Sequence, residues 1–291
     1  MFDLKPAIAK GLCLAILALP LTLQAKAPFV NPADDLNHLG APDKLLFWKP
    51  KQQIASYRNI DKIFPTRVIV KDSYVLELPV KPEKLGQVEF REGDVSWNVD
   101  RYFEMQNVAG LLVIKDGDIV YERYGLGNDE NSRWISWSIA KSVTSMLIGA
   151  AIKDGYITSV DDKITDYLPL LKDSSYDQAT IRNLLQMASG VEWVEEYADK
   201  ESDINTAPFD TLGLYEYLRE KPRAAAPGEK FNYNTAETNI AGDLLRSAIG
   251  NNLSTYLSEK IWKPYGMGAD ANWMLLQRAM FSALVEAVKA P

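Results

Sequence analysis

Apolar positions along this chain follow two periods, one near two residues and one near 3.6, and the change between them marks the elements. Ala109-Gly110-Leu111-Leu112-Val113-Ile114 and Asp118-Ile119-Val120-Tyr121-Glu122-Arg123-Tyr124 read as strands. Lys115-Asp116-Gly117 joins them, and Asp-Gly is a dipeptide that a tight hairpin turn selects. Further on the period lengthens. Val143, Met146, Leu147, Ala150 and Ala151 fall at helical spacing, with Gly155 as a stop. Beyond it the chain reads as mainly helical. Ser159 to Pro169 is a loop with a short helix. Thr180 to Gly190 is a helix capped by Thr180 and ended by Gly190. Ala236 to Ile249 presents Ile240, Leu244, Leu245 and Ile249 on one face, and Leu253 to Ile261 is a further helix. Upstream, residues 28 to 65 read as a loop-rich wrap carrying Trp48, Tyr57 and Phe64, followed by a short strand, Arg67-Val68-Ile69-Val70. No strand is read after residue 125. Neither repeats nor low-complexity runs occur.

The first 27 residues follow another rule. Lys5 and Lys10 precede an apolar run from Gly11 to Leu23, and Leu23-Gln24-Ala25 and Ala25-Lys26-Ala27 offer small-residue cleavage sites. The pattern predicts a signal peptide over 1–27, a mature domain over 28–291, and a periplasmic or secreted bacterial protein. An uncleaved N-terminal anchor is the rival reading. Cys13, the single cysteine, lies inside that segment, so the mature chain would carry neither a disulfide nor a thiolate. The net charge of −7 makes nucleic acid or an anionic membrane surface a poor partner. At 291 residues and 47% hydrophobic content the chain can bury a sizeable core. His38 is the single histidine and sits among Asp34, Asp35 and Asn37, where it reads as a solvated loop residue. With no second histidine, a zinc site is not expected, nor a Ser-His-Asp triad unless His38 serves it, and no cofactor is implied. A Gly-x-Ser-x-Gly elbow is also absent.

Chemistry concentrates at Ser136-Trp137-Ser138-Ile139-Ala140-Lys141-Ser142. If Ser138 opens the helix, Lys141 stands one turn on, on the same face. The unpaired N–H groups and positive dipole end of that first turn lie beside them. A hydroxyl, an amine and an anion-stabilising helix end are what acyl transfer needs. A capped helix start with a solvated lysine would look the same.

The wider context resembles the β-lactamase-related serine hydrolases, among them class C β-lactamases, family VIII esterases and 6-aminohexanoate-dimer hydrolases. The resemblance rests on the Ser138–Lys141 motif with the Asp116-Gly117 hairpin before it. After it come Thr180-Ile181-Arg182-x-Leu184-Leu185, Ser189-Gly190, Pro227-Gly228, Tyr233 and Pro264-x-Gly266-Met267, in the family's order. The Ser-Trp-Ser start, and Met187 where many relatives carry histidine, lean toward the 6-aminohexanoate-dimer hydrolase branch. The resemblance implies an α+β fold of the β-lactamase/transpeptidase type: an antiparallel sheet flanked by helices, plus a mainly helical lobe. It implies Ser138 as nucleophile, Lys141 as holder of the proton network and Tyr233 as proton shuttle, with a small ester or linear amide as substrate. Thr235 stands where relatives with β-lactamase activity usually carry the amide-binding asparagine. A threonine donates one hydrogen bond but cannot copy an amide, which argues against a β-lactamase proper. Trp134, Trp137 and Trp193 are candidates to line the pocket. A non-catalytic penicillin-recognising or interaction protein on the same fold is the alternative. Relatives also continue past Pro264-x-Gly266-Met267 into further strands, so the chain is expected to be truncated at its C-terminal end. The segment Leu276 to Pro291 reads either as a short helix, Arg278 to Val288, or as a shifted reading frame.

Overall fold

A computed structural model describes residues 29–208, 210–250 and 252–275, and the backbone of 284–285. The expected signal peptide therefore lies outside the described residues. So does the expected helix Arg278 to Val288, except for Leu284 and Val285, which pair as a strand.

The wrap comes first. It is less loop-like than its sequence suggests, because helix α1 (Pro50–Arg58) forms within it, opened by a proline at its first position. Arg58 ends α1 and is buried. Its guanidinium donates to both Asp35 oxygens, to the carbonyls of Val30 and Leu126, and to Asn128, at 2.6–3.2 Å. That fork ties the wrap to the loop beyond the central hairpin.

Strand β1 (Thr66–Ile69) follows, then a short hairpin, β2 (Phe90–Glu92) and β3 (Val95–Trp97), and helix α2 (Val99–Gln106). Strands β4 (Gly110–Lys115) and β5 (Asp118–Tyr124) form the expected hairpin. Asp116 and Gly117 both have positive φ, 54° and 87°, the pattern of a two-residue primed turn. Strand β6 (Ile135–Trp137) leads directly into helix α3 (Ile139–Lys153). Then come α4 (Ile164–Tyr167), α5 (Ile181–Leu185), α6 (Asp203–Thr206), α7 (Thr211–Arg219), α8 (Thr235–Ile249) and α9 (Leu253–Leu257). Strands β7 (Ala271–Met274) and β8 (Leu284–Val285) close the described chain.

Strands after residue 125 are a correction to the sequence reading. β6 and β7 join β1 and β8 in an antiparallel sheet of order β1-β7-β8-β6. All four residues of β7 are buried, so it carries no alternation, and β6 is only three residues long. The fold class itself stands: β-lactamase/transpeptidase-like, with small antiparallel sheets and a mainly helical lobe.

Helices α3 and α8 pack against each other at the centre of the main core. The buried stripe of α3 is Ala140, Thr144, Leu147, Ile148 and Ala151. It is rotated from the expected one, so Met146 is exposed and Ile148 takes its place inside. Burying Leu147 and Ile148 contributes about 1.5–3 kcal/mol each. A second cluster, with Leu45, Trp48, Ile60 and Phe64 from the wrap, packs on Ile135 of β6 and Met274 of β7. It supports the β6–α3 junction.

Candidate active site

At the β6–α3 junction the backbone turns sharply. Trp137 sits at φ +48°, a left-handed conformation that is uncommon for a bulky residue and costs about 1–3 kcal/mol. Tyr57 of α1 holds it edge-on, with ring centroids 5.5 Å apart, and meets Trp134 at the same distance. The turn places Ser138 at the N-cap position of α3. Its hydroxyl makes no capping bond there and is exposed. It is met instead by two side chains. Lys141 Nζ lies 3.3 Å from Ser138 Oγ, and the Tyr233 hydroxyl donates to the same atom at 2.9 Å. Lys141 Nζ also stands 5.3 Å from the centroid of the Tyr233 ring, within cation–π range. Ser138, Lys141 and Tyr233, predicted from sequence, thus converge on one oxygen.

Tyr233 comes from 95 residues away, and its placement has a backbone cause. The strap before it hangs on the turn after α5. The N–H groups of Ala224 and Ala225 donate to the Gly190 carbonyl, that of Gly228 to Ala188 and that of Asn232 to Met187, at 2.7–3.1 Å. α5 is shorter than expected: Met187, at φ +51°, breaks it after Leu185. Gly190 therefore does not end the helix. It lies at φ +80°, and a Cβ there would stand 2.1 Å from the Ala225 carbonyl oxygen, so glycine is what lets the strap approach. Immediately after Tyr233, Asn234 caps α8 by accepting the Glu237 N–H at 3.3 Å. The spacing Asn234-x-x-Glu237 would allow a capping box, but only half of it is made. The Glu237 side chain turns away to accept from Ser189 Oγ.

Thr235 does border the site, but its role differs from the expectation. Its hydroxyl donates to Glu195, as does its N–H at 3.0 Å. Glu195 also accepts from the Trp193 indole and, at 2.7 Å, from the Tyr197 hydroxyl. Four donors on one carboxylate leave Thr235 with only lone pairs for a ligand, so it accepts where it was expected to donate. Burial, then the hydrogen bond to Glu195, push the Tyr197 phenol above its ordinary range. Sequence reasoning missed Glu195 and Tyr197. The signal was the Trp193-x-Glu195-x-Tyr197 spacing, which in extended chain puts the three on one side.

A cavity of about 930 Å³ opens onto Ser138, Lys141, Tyr197 and Thr235, a size suited to a small molecule. Trp137 lines it. Trp134 packs edge-on against Tyr57 and Trp193 is buried, and neither lines the cavity as expected. Asp210, Asp243 and Arg246 also line it. His38 pairs with Asp34 at 2.9 Å and does not line the cavity. Among the described residues, no cluster of His, Cys, Asp or Glu is arranged to hold a metal ion.

Comparison with known proteins points the same way. A profile described as Beta-lactamase matches residues 98–271. The chain is 27% identical over 184 residues to a 6-aminohexanoate-dimer hydrolase from Paenarthrobacter ureafaciens, a match covering 60% of this chain and 46% of that one. Thus the chain spans about half the length of the curated relatives it matches. Among solved structures, the "Putative 6-aminohexanoate-dimer hydrolase from Bacillus anthracis" superposes with a TM-score of 0.73 at 21% identity, over 85% of this chain and 68% of that one. A class C beta-lactamase in complex with cefoxitin superposes with a TM-score of 0.50 at 18% identity, over 65% and 60%. At such identities the two structures speak to the fold.

Proposed function

The chain belongs to the beta-lactamase family, whose profile matches more than half of it, and on that premise we propose that it is a serine hydrolase of small esters or linear amides. One observation carries the reading: Lys141 Nζ and the Tyr233 hydroxyl meet on Ser138 Oγ at 3.3 and 2.9 Å. In the proposed reaction Ser138 Oγ attacks the substrate carbonyl carbon, and its proton passes into the Lys141–Tyr233 pair. The carbonyl oxygen becomes an oxyanion beside the first turn of α3, where unpaired N–H groups and the helix dipole stabilise it. Tyr233 then hands the proton to the leaving alcohol or amine, and the bond from the carbonyl carbon to that group breaks. Water attacks the resulting acyl-Ser138 ester by the same route in reverse and releases the acid.

Thr235 supports the substrate class. Its hydroxyl proton is held by Glu195, so it cannot donate to a β-lactam side-chain amide. Short p-nitrophenyl esters should be hydrolysed faster than a cephalosporin, and Ser138→Ala should abolish the turnover. Preference for the cephalosporin would overturn the substrate class. Ester hydrolysis that survives Ser138→Ala would overturn the mechanism. Action in the periplasm is part of the proposal, and N-terminal sequencing of the exported product tests it. A start near Ala25 to Pro28 supports it, an intact Met1 on exported protein favours the uncleaved anchor instead, and protein found only in the cytoplasmic fraction contradicts it.

A further inference from the structure

Behind the active site lies a buried polar cluster that the mechanism leaves unused. Tyr176, Ser189, Asn234 and Glu237 are each at most 2% exposed. They come from the segment before α5, the turn after α5, and the first turn of α8. The Glu237 carboxyl accepts from Ser189 Oγ, and Ser189 Oγ in turn accepts the Val191 N–H at 3.1 Å. Three enclosed atoms, Tyr176 OH, Asn234 Nδ2 and Glu237 Oε2, have no well-formed partner among the described residues. A buried carboxyl is costly unless it is hydrogen-bonded, and Glu237 accepts one such bond, from Ser189.

Its place suggests a role. The strap that ends at Tyr233 hangs on the carbonyls of Met187, Ala188 and Gly190. Ser189 belongs to the same turn. Glu237 grips that turn from the far side, from the helix that begins right after Tyr233. We infer that Glu237 is a positioning residue for Tyr233, tying the Ser189 turn to the first turn of α8 so that the phenol between these two attachments stays on Ser138. This rests on the Ser138 reading above.

The grip is sensitive to charge. Burial pushes the Glu237 carboxyl up to about 8, against a smaller downward pull from Ser189. It is therefore a neutral acid at pH 7. The groups facing it are Ser189 from the turn, Tyr176 from the segment before α5, Asn234 and Thr238 on α8, and Lys141 of α3 across a cavity of about 150 Å³ that Lys141 and Glu237 both line. Asp203 adds negative charge near Tyr176. Ionising Glu237 puts an uncompensated charge into this cluster and loosens the turn. Since its native pKa is raised, Glu237 contributes stability below its unfolded value near 4.5, and loses that contribution as pH rises through about 8.

The test is the rate at which a fluorophosphonate labels Ser138, read by mass spectrometry from pH 6 to 10, for the full chain and two variants. The wild type should lose rate as pH passes about 8. Glu237→Gln keeps an acceptor and a donor in place without a charge. It should label within about threefold of wild type at pH 7 and lack the loss near pH 8. Glu237→Ala should label at least about tenfold more slowly at pH 7. An unchanged alkaline loss in Glu237→Gln, or wild-type labelling in a folded Glu237→Ala, overturns the role. If Glu237→Ala fails to fold, the Glu237→Gln profile decides alone. A wild type that never labels overturns the serine-hydrolase reading, and the positioning role falls with it. Labelling that ignores Glu237 sinks only the role.

Discussion

Gly190→Ala should damage stability and catalysis together, because one backbone contact serves both. The new Cβ would stand 2.1 Å from the Ala225 carbonyl oxygen and 2.9 Å from its carbon, both backbone atoms that no rotamer can move aside. At φ +80° the alanine also carries left-handed strain. Relief requires the strap to swing away, which breaks the two hydrogen bonds that Ala224 and Ala225 donate to the Gly190 carbonyl. Strain of about 1–2 kcal/mol plus two bonds of about 1 kcal/mol each gives about 3–4 kcal/mol. In a chain of this size that lowers the melting temperature by roughly 5–7 °C. The strap leads into Tyr233, so a shift of about 1 Å in its hydroxyl should cost about 100-fold in kcat. Gly149→Ala is the control. Gly149 is in the middle of α3, and a Cβ there meets nothing within 4 Å, so the alanine should stabilise by about 0.5–1 kcal/mol and leave kcat alone. Thermal melts and p-nitrophenyl acetate kinetics on both variants decide the matter. A Gly190→Ala protein within about 1 kcal/mol of wild type and with wild-type kcat would refute the reasoning, since the clash is the whole of it.

Further outcomes follow from the same geometry. Tyr233→Phe removes the hydroxyl 2.9 Å from Ser138 Oγ and should lower kcat about 10²–10⁴-fold with little change in the melting temperature. Lys141→Ala should fall in the same range, while the double variant should lose far less than the product of the two, because both act on one oxygen. Arg58→Met strips a buried carboxylate, Asp35, of its ion pair and should cost about 3–5 kcal/mol in urea unfolding. A cost under about 1 kcal/mol would mean that the wrap is not anchored there. His38→Ala should leave ester hydrolysis unchanged. A large loss would put the proton acceptor in the wrong place.

The parts of the fold that were legible in the sequence are those set by local chemistry. Asp116-Gly117 names its own turn, and α8 has its cap, Asn234, directly before the fifteen residues that carry its apolar face. Ser138, Lys141 and Tyr233 were legible because family motifs mark them, and the structure shows why the motifs are spaced so: one turn of helix, then a strap returning from the far lobe. The remainder depends on contacts that no local pattern encodes. Glu237 looks like a capping residue to any reader of Asn234-x-x-Glu237, yet its carboxyl reaches Ser189, 48 residues back. Gly190 looks like a helix stop, yet it serves a close backbone approach from residue 225. Thr235 looks like a donor until Glu195, 40 residues earlier, takes its proton. β7 is buried throughout, so its sequence carries no two-residue alternation to betray it.

The central claim is that Ser138 is a nucleophile activated by Lys141 and Tyr233. Intact-protein mass spectrometry after exposure to a fluorophosphonate tests it most directly, followed by peptide mapping and repeated on Lys141→Ala. A single adduct is expected, carried by the peptide containing Ser138, with slower formation in Lys141→Ala and none in Ser138→Ala. An adduct on another residue, or none on folded wild-type protein, would contradict the claim.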